Sequence, residues 1–141
     1  LYPASRVCKV VQVGIRSIGP EELPNTAHEN VATFRMQENL DVGKVIPKVL
    51  NALTEDVYVS IDLDGFDSSV IPGVGTPEPG GFSWYDGLAL FRAIFERKHI
   101  VGIDVMELCP LPDTKISEFT AAKLVYRLMG YLASKSSPQV D

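Results

Sequence analysis

The stretch Val57-Tyr58-Val59-Ser60-Ile61-Asp62-Leu63-Asp64-Gly65-Phe66-Asp67 decides how the chain is read. Its β-branched and aromatic residues suit a packed, pleated surface and predict a buried strand. Three acids and a glycine close the run, and the interior of a buried strand does not hold such groups unpaired. On an extended backbone Asp62 and Asp64, two residues apart, point to the same face. Two carboxylates converging there repel each other unless a cation or a proton lies between them. The pattern predicts a metal site at the carboxyl end of a strand, where open α/β sheets place their ligands.

The segment that follows strengthens this reading. From Phe66 through Gly81 the chain holds four glycines and three prolines, yet the segment is too apolar for a linker. A long, rigid loop directly after a core strand predicts a functional loop.

Outward from this centre, apolar strands alternate with helical patterns. Strands are expected at Cys8 to Ile15, Val31 to Met36, Val57 to Asp62 and His99 to Met106. A short helix is expected after Pro20, with Glu21 and Glu22 in its first turn. Asp41 is placed to cap a helix through Leu53, and Pro47 inside it implies a kink or a late start. Ser83 is placed to cap a helix through Arg97 that buries Leu88, Leu90, Phe91, Ile94 and Phe95. Thr114 or Ser117 caps a last helix through Ala133. The alternation predicts parallel βαβ units, a three-layer αβα domain with a mainly parallel sheet covered on both faces.

Composition narrows the function. At 141 residues the chain has the size of one domain, and the expectation is a single unit over 1–141. A net charge of -5, with no basic cluster, argues against nucleic acid as partner. No apolar run approaches a membrane span, so no membrane partner is expected. Cys8 and Cys109 form no CxxC pair and are expected to be buried thiols in a reducing cytoplasm.

Aspartate oxygens are hard ligands, suited to Mg²⁺ or Mn²⁺. An EF-hand loop is excluded, because Phe66 and Gly73 stand where it requires acidic or amide ligands and a glutamate. A haloacid-dehalogenase phosphatase also opens with strand-Asp-x-Asp-Gly and would use Asp62 as nucleophile. It normally continues with Thr, where this chain has Phe66. A non-catalytic assembly module is the other alternative.

A third reading explains more residues. Ser60 through Asp67, then Pro72-Gly73, Gly75-Thr76-Pro77 and Gly80-Gly81, resembles the signature of the arginase/agmatinase (ureohydrolase) family. Val101-Gly102-Ile103-Asp104-Val105-Met106-Glu107 with Pro110 is similar to that family's later strand, and Val13-Gly14-Ile15-Arg16-Ser17 to an earlier one. The resemblance implies hydrolysis of a guanidinium compound to urea and an amine by a pair of Mn²⁺ ions. Two cations about 3.5 Å apart lower the pKa of a shared water and generate hydroxide near neutral pH. It further implies that Asp62 and Asp64 are metal ligands and that Glu107 holds the substrate guanidinium through paired, charge-assisted hydrogen bonds. Thr76 would line the pocket loop. Asp67 is left between a loop role and a turn role, and Asp104 between a partner across the sheet and the site.

The resemblance also implies substrate preference and partners. Arginases tend to carry an acid after the Gly-Ile-Arg strand that meets the α-amino group of arginine, and this chain has Gly19 there. Agmatine, giving putrescine and urea, is therefore the expected substrate. A homo-oligomer, trimer or hexamer, is expected by the same resemblance.

The family builds its metal pair from both halves of a chain roughly twice this length. Its Gly-Gly-Asp-His and Asp-Ala-His-x-Asp segments have no counterpart here, and the only histidines are His28 and His99. The match is therefore to the carboxyl-terminal half of a ureohydrolase, and the chain alone is expected to be inactive. The start at Leu1 fits a fragment of a longer protein.

Overall fold

The computed structural model describes residues 2–136. The chain divides into two compact units, 1–55 and 56–141.

The first unit opens with one helical turn, α1 (Tyr2–Ser5), followed by strand β1 (Val10–Ile15). A second helical turn, α2 (Leu23–Thr26), leads to strand β2 (Val31–Arg35) and then to helix α3 (Val42–Ala52). β1 and β2 pair in parallel, with a register shift between Val13 and Ile15. Gly14, at that shift, has φ +84°, a backbone conformation that side chains disfavour. α3 begins where expected: the Asp41 carboxylate accepts the Gly43 amide at 3.1 Å. Val45 and Val49, four residues apart on one face, are buried. Pro47 lies in the helix interior and ends nothing.

The second unit is one βαβ crossover with an added helix. Strand β3 (Asp56–Asp62) runs through a 3-10 turn (Leu63–Gly65) into the long loop. Helix α4 (Trp84–Arg97) then leads to strand β4 (His99–Met106), and helix α5 (Ile116–Ser136) follows. β3 and β4 are parallel neighbours, with Ser60 opposite Asp104 and Asp62 opposite Met106. Ser83 caps α4 as expected, its hydroxyl accepting the Asp86 amide at 3.1 Å.

β3 alternates strictly: Val57, Val59 and Ile61 are buried, whereas Asp56, Tyr58, Ser60 and Asp62 are exposed. On the exposed side of β3, Tyr58 is 60% exposed. The core lies on the other face. Ile61, Leu63, Ile71, Leu90, Ile94 and Phe95 are buried there, as is the α5 stripe of Ala121, Leu124 and Leu128. Each such buried side chain contributes roughly 1.5–3 kcal/mol.

One further expectation fails. Both cysteines are exposed rather than buried. Cys8 precedes β1 on the turn after α1, with its thiol pointed at the Ala4 carbonyl (3.4 Å), and Cys109 lies in the extended segment after β4. Of the two residues expected at the start of α5, Thr114 rather than Ser117 meets its first amide. The Thr114 hydroxyl accepts the Ile116 amide at 3.2 Å, while Ser117 lies one position into the helix on its buried stripe.

Candidate functional site

Parallel pairing sets the site. Because Asp62 faces Met106 across the ladder, the carboxyl ends of β3 and β4 coincide, and Glu107 leaves β4 beside the acids that end β3. Burial, together with the charges of Asp64, Glu107 and Asp104, pushes the Asp62 carboxyl above its ordinary value of 3.8. Four carboxyl groups therefore share one electrostatic neighbourhood at a strand end.

Asp64 reaches this neighbourhood by a different route from the one that alternation predicts. The extended backbone stops at Asp62, and Asp64 sits in the 3-10 turn that follows. The fully buried Leu63 anchors that turn. The Asp64 carboxylate is held from the loop, its Oδ2 accepting the Thr76 hydroxyl at 2.9 Å. Thr76 thus both lines the loop and binds one of the acids, a role its sequence position alone does not show.

Glu107 is the only non-glycine with positive φ (+68°) among the described residues. A side chain in the left-handed region is disfavoured by roughly 1–2 kcal/mol, so the conformation persists because its surroundings hold it. The next residue, Leu108, pairs with Val74 of the long loop in an isolated antiparallel bridge. The turn at Glu107 thus swings the chain away from the strand direction and into contact with that loop.

The other acids are accounted for. Asp104 is a partner across the strand pair, accepting the Ser60 hydroxyl at 2.6 Å and the Tyr58 hydroxyl at 3.0 Å. The bond to Asp104 holds the Tyr58 phenol above its ordinary pKa. Asp67 is a loop tie: it accepts the Ser69 amide (2.9 Å), the Ser69 hydroxyl (2.5 Å) and the Gly80 amide (2.7 Å). These bonds, the Ser69 hydroxyl first, lower its carboxyl to about 2. They close the 67–80 segment on itself, above a base formed by the Phe66–Phe82 bridge. Glycine is obligatory at that base, since a Cβ on Gly81 would fall 2.5 Å from the Asp67 nitrogen.

The histidines stand apart from this cluster in their contacts. His99, at the opposite end of β4 from Glu107, pairs with Asp56 at 2.8 Å, and His28 Nδ1 meets the Asn30 amide at 3.2 Å. Among the described residues no three His, Cys, Asp or Glu side chains come together to hold a metal ion. Asp62 and Asp64 nevertheless fit part of a hard-metal donor set, because both offer carboxylate oxygens.

Comparison with known proteins agrees with the sequence motifs. Residues 3–130 match the arginase family. The chain is similar to the N(1)-aminopropylagmatine ureohydrolase of Synechocystis sp., 44% identical over 120 residues that span 84% of this chain and 39% of the relative. It is also similar to the agmatinase of Pyrococcus horikoshii, 32% identical over 126 residues, 89% of this chain and 44% of the relative. Among solved structures, proclavaminate amidino hydrolase from Streptomyces clavuligerus matches with a TM-score of 0.78 at 33% identity, over 89% of this chain and 43% of that one. The chain therefore spans less than half the length of these relatives. The likeness confirms the α/β class, parallel strands flanked by helices, and sets aside the phosphatase reading of Asp62. This chain belongs to the arginase family.

Proposed function

We propose that these 141 residues are the carboxyl-terminal part of a Mn²⁺-dependent ureohydrolase that cleaves an agmatine-type guanidine to urea and an amine. The observation that carries the reading is the coincidence of the carboxyl ends of β3 and β4, which puts Asp62 and Glu107 at neighbouring strand ends, with Asp64 in the turn that follows β3.

Asp62 and Asp64 would hold the metal through their carboxylate oxygens, with Thr76 fixing the Oδ2 side of Asp64. The bound Mn²⁺ pair would supply a hydroxide nucleophile near neutral pH. Glu107 would accept two N–H bonds from the substrate guanidinium, orienting its carbon toward the two aspartates. The left-handed backbone turn at Glu107 would fix the start of that side chain before substrate arrives, leaving less ordering for binding.

The substrate class rests on two supports. Gly19 replaces the acid that by resemblance meets an α-amino group in arginases. Two similar relatives are named for agmatine or its aminopropyl derivative. We therefore place agmatine and N(1)-aminopropylagmatine ahead of arginine.

Two aspartates are too few for a binuclear site, so the chain alone would release no urea. Self-association is favoured by Phe119, Tyr126 and Met129, which leave an apolar stripe on α5 open to solvent at seven- and three-residue spacing. No helix among the described residues is long and apolar enough to cross a membrane. A cytoplasmic location is part of the proposal.

A chimera provides the test. This chain would replace the matching segment of the Synechocystis relative, and urea release would be followed with Mn²⁺ and each of the three guanidines. Turnover of agmatine or its aminopropyl derivative, abolished by Asp62→Ala and by Glu107→Gln, is expected. A folded chimera without turnover, or one that prefers arginine, would overturn the corresponding part. Urea release by the 141-residue chain itself would overturn the claim that it lacks essential ligands.

A further inference from the structure

We propose that Ser117 is a positioning residue for the acid cluster, acting through the Gly73–Thr76 segment on Asp64 and, across the same segment, on the turn at Glu107. This inference rests on the ureohydrolase reading only for its consequence, metal affinity. The positioning itself stands on contacts within the second unit.

Ser117 is one of only two buried polar side chains among the described residues, at 1% exposure. A hydroxyl so placed must find a partner or cost roughly 1–3 kcal/mol. Its partner is the Gly73 amide, which donates to Ser117 Oγ at 2.7 Å across 44 residues of sequence. The bond joins the first turn of α5 to the start of the segment that carries Thr76.

The same segment is gripped from its other side. The Cys109 amide donates to the Gly73 carbonyl at 2.9 Å, and Val74 bridges Leu108. Gly73 is thus held at both its polar atoms, by Ser117 at the amide and by Cys109 at the carbonyl. The approach leaves no room for a side chain: a Cβ on Gly73 would lie 2.7 Å from Ser117 Oγ and 2.8 Å from the Cys109 carbonyl oxygen. Three residues after this clamp, Thr76 donates to Asp64, and two residues before Cys109 stands Glu107 in its left-handed turn. A Cβ on the intervening Gly75 would come within 3.4 Å of the Glu107 carboxylate, so the segment passes close to both acids.

The rest of α5 explains why Ser117 can act as a fixed point. It begins the stripe Ser117, Ala121, Leu124 and Leu128, all buried. The hydroxyl is therefore anchored by helix packing and can transmit its position to the loop, where a solvent-exposed serine would give way.

The test uses the 141-residue chain labelled with ¹³C and ¹⁵N, with Mn²⁺ alone as probe. Ser117→Ala, Thr76→Val and their double variant are compared with the rescue variant Ser117→Thr. Expected in Ser117→Ala are loss of hydrogen-exchange protection at the Gly73 amide and a shift of the Asp64 carboxyl carbon in the sense seen for Thr76→Val. The double variant should shift Asp64 no further than Thr76→Val alone, since both act on one bond. Mn²⁺ affinity, read by paramagnetic broadening at Asp62 and Asp64, should fall about tenfold, and Ser117→Thr should restore it. An unmoved Asp64 carbon in folded Ser117→Ala, or additive shifts in the double variant, would overturn the proposal. Should Ser117→Ala not fold, Ser117→Cys, of similar size but a poor acceptor, is judged by the same criteria. If the wild-type chain takes up no Mn²⁺, two aspartates do not suffice to bind the ion without the rest of the ligand set, and the Asp64 carbon alone decides the role of Ser117.

Discussion

The Thr76 hydroxyl donates a 2.9 Å hydrogen bond to Oδ2 of Asp64, twelve residues earlier in the chain. That bond turns the loop from a cover into part of the acid cluster. It occupies one lone-pair direction of Asp64 and so fixes which directions remain for a cation. Thr76→Val, nearly equal in shape, should lower Mn²⁺ affinity about tenfold in a metal titration. Because Thr76 is exposed, its effect on unfolding free energy should stay within about 0.5 kcal/mol. Thr76→Ser, which keeps the donor, should bind metal as the wild type does; equal affinity in the valine variant would remove Thr76 from the site.

Asp62 predicts a pH dependence of unusual sign for an aspartate. Its folded carboxyl is raised above 3.8, first by burial and then by Asp64, Glu107 and Asp104. The folded chain therefore holds this proton more tightly than the unfolded one. Its contribution favours the folded state at low pH and is lost as pH rises from 3.8 through the raised folded value. Asp62→Asn should raise the melting temperature at neutral pH without metal and have little effect below pH 3.8. A variant that melts lower than wild type at neutral pH would show that the Asp62 charge is already compensated.

Asp67 predicts the opposite slope. Its carboxyl is lowered to about 2 by bonds from the Ser69 hydroxyl and from the Ser69 and Gly80 amides. The stability it contributes is complete above the ordinary value of 3.8 and disappears as pH falls toward about 2. Protease nicking between 67 and 80 should accelerate in that window, and Asp67→Ala should show the fast nicking already at neutral pH. Equal resistance of variant and wild type at pH 7 would mean that other contacts hold the loop.

Glu107 predicts a trade between stability and function. Glycine takes φ +68° without the steric cost that glutamate bears. After allowance for the freer unfolded chain, Glu107→Gly should gain up to about 1 kcal/mol. The gain should be read as a higher denaturant midpoint at unchanged slope. The chimera carrying it should lose guanidine turnover. A lower midpoint would show that contacts of the glutamate side chain outweigh the backbone strain.

The amino-acid sequence by itself determined the elements and the family. β3, β4, α3 and α4 follow from apolar periodicity and from the Asp41 and Ser83 caps, because strand and helix periods are local properties of the chain. The acids at the ends of β3 and β4 were legible for the same reason, along with the glycine-rich loop between them. A clue to Ser117 was also present, since Ser117, Ala121, Leu124 and Leu128 recur at helical spacing and place the hydroxyl on the buried stripe. Its partner was not legible, because Gly73 lies 44 residues away and nothing local encodes that approach.

Only the tertiary structure decided how the acids are held. Alternation placed Asp64 beside Asp62, but the backbone leaves the strand at Leu63, and a bond from Thr76 positions Asp64 instead. Asp104 could not be assigned until the register set Ser60 opposite it, and Asp67 until the loop closed back to Gly80. Residue type and spacing fix what a segment can form; which distant donor satisfies a given carboxylate is settled only when the chain returns to it.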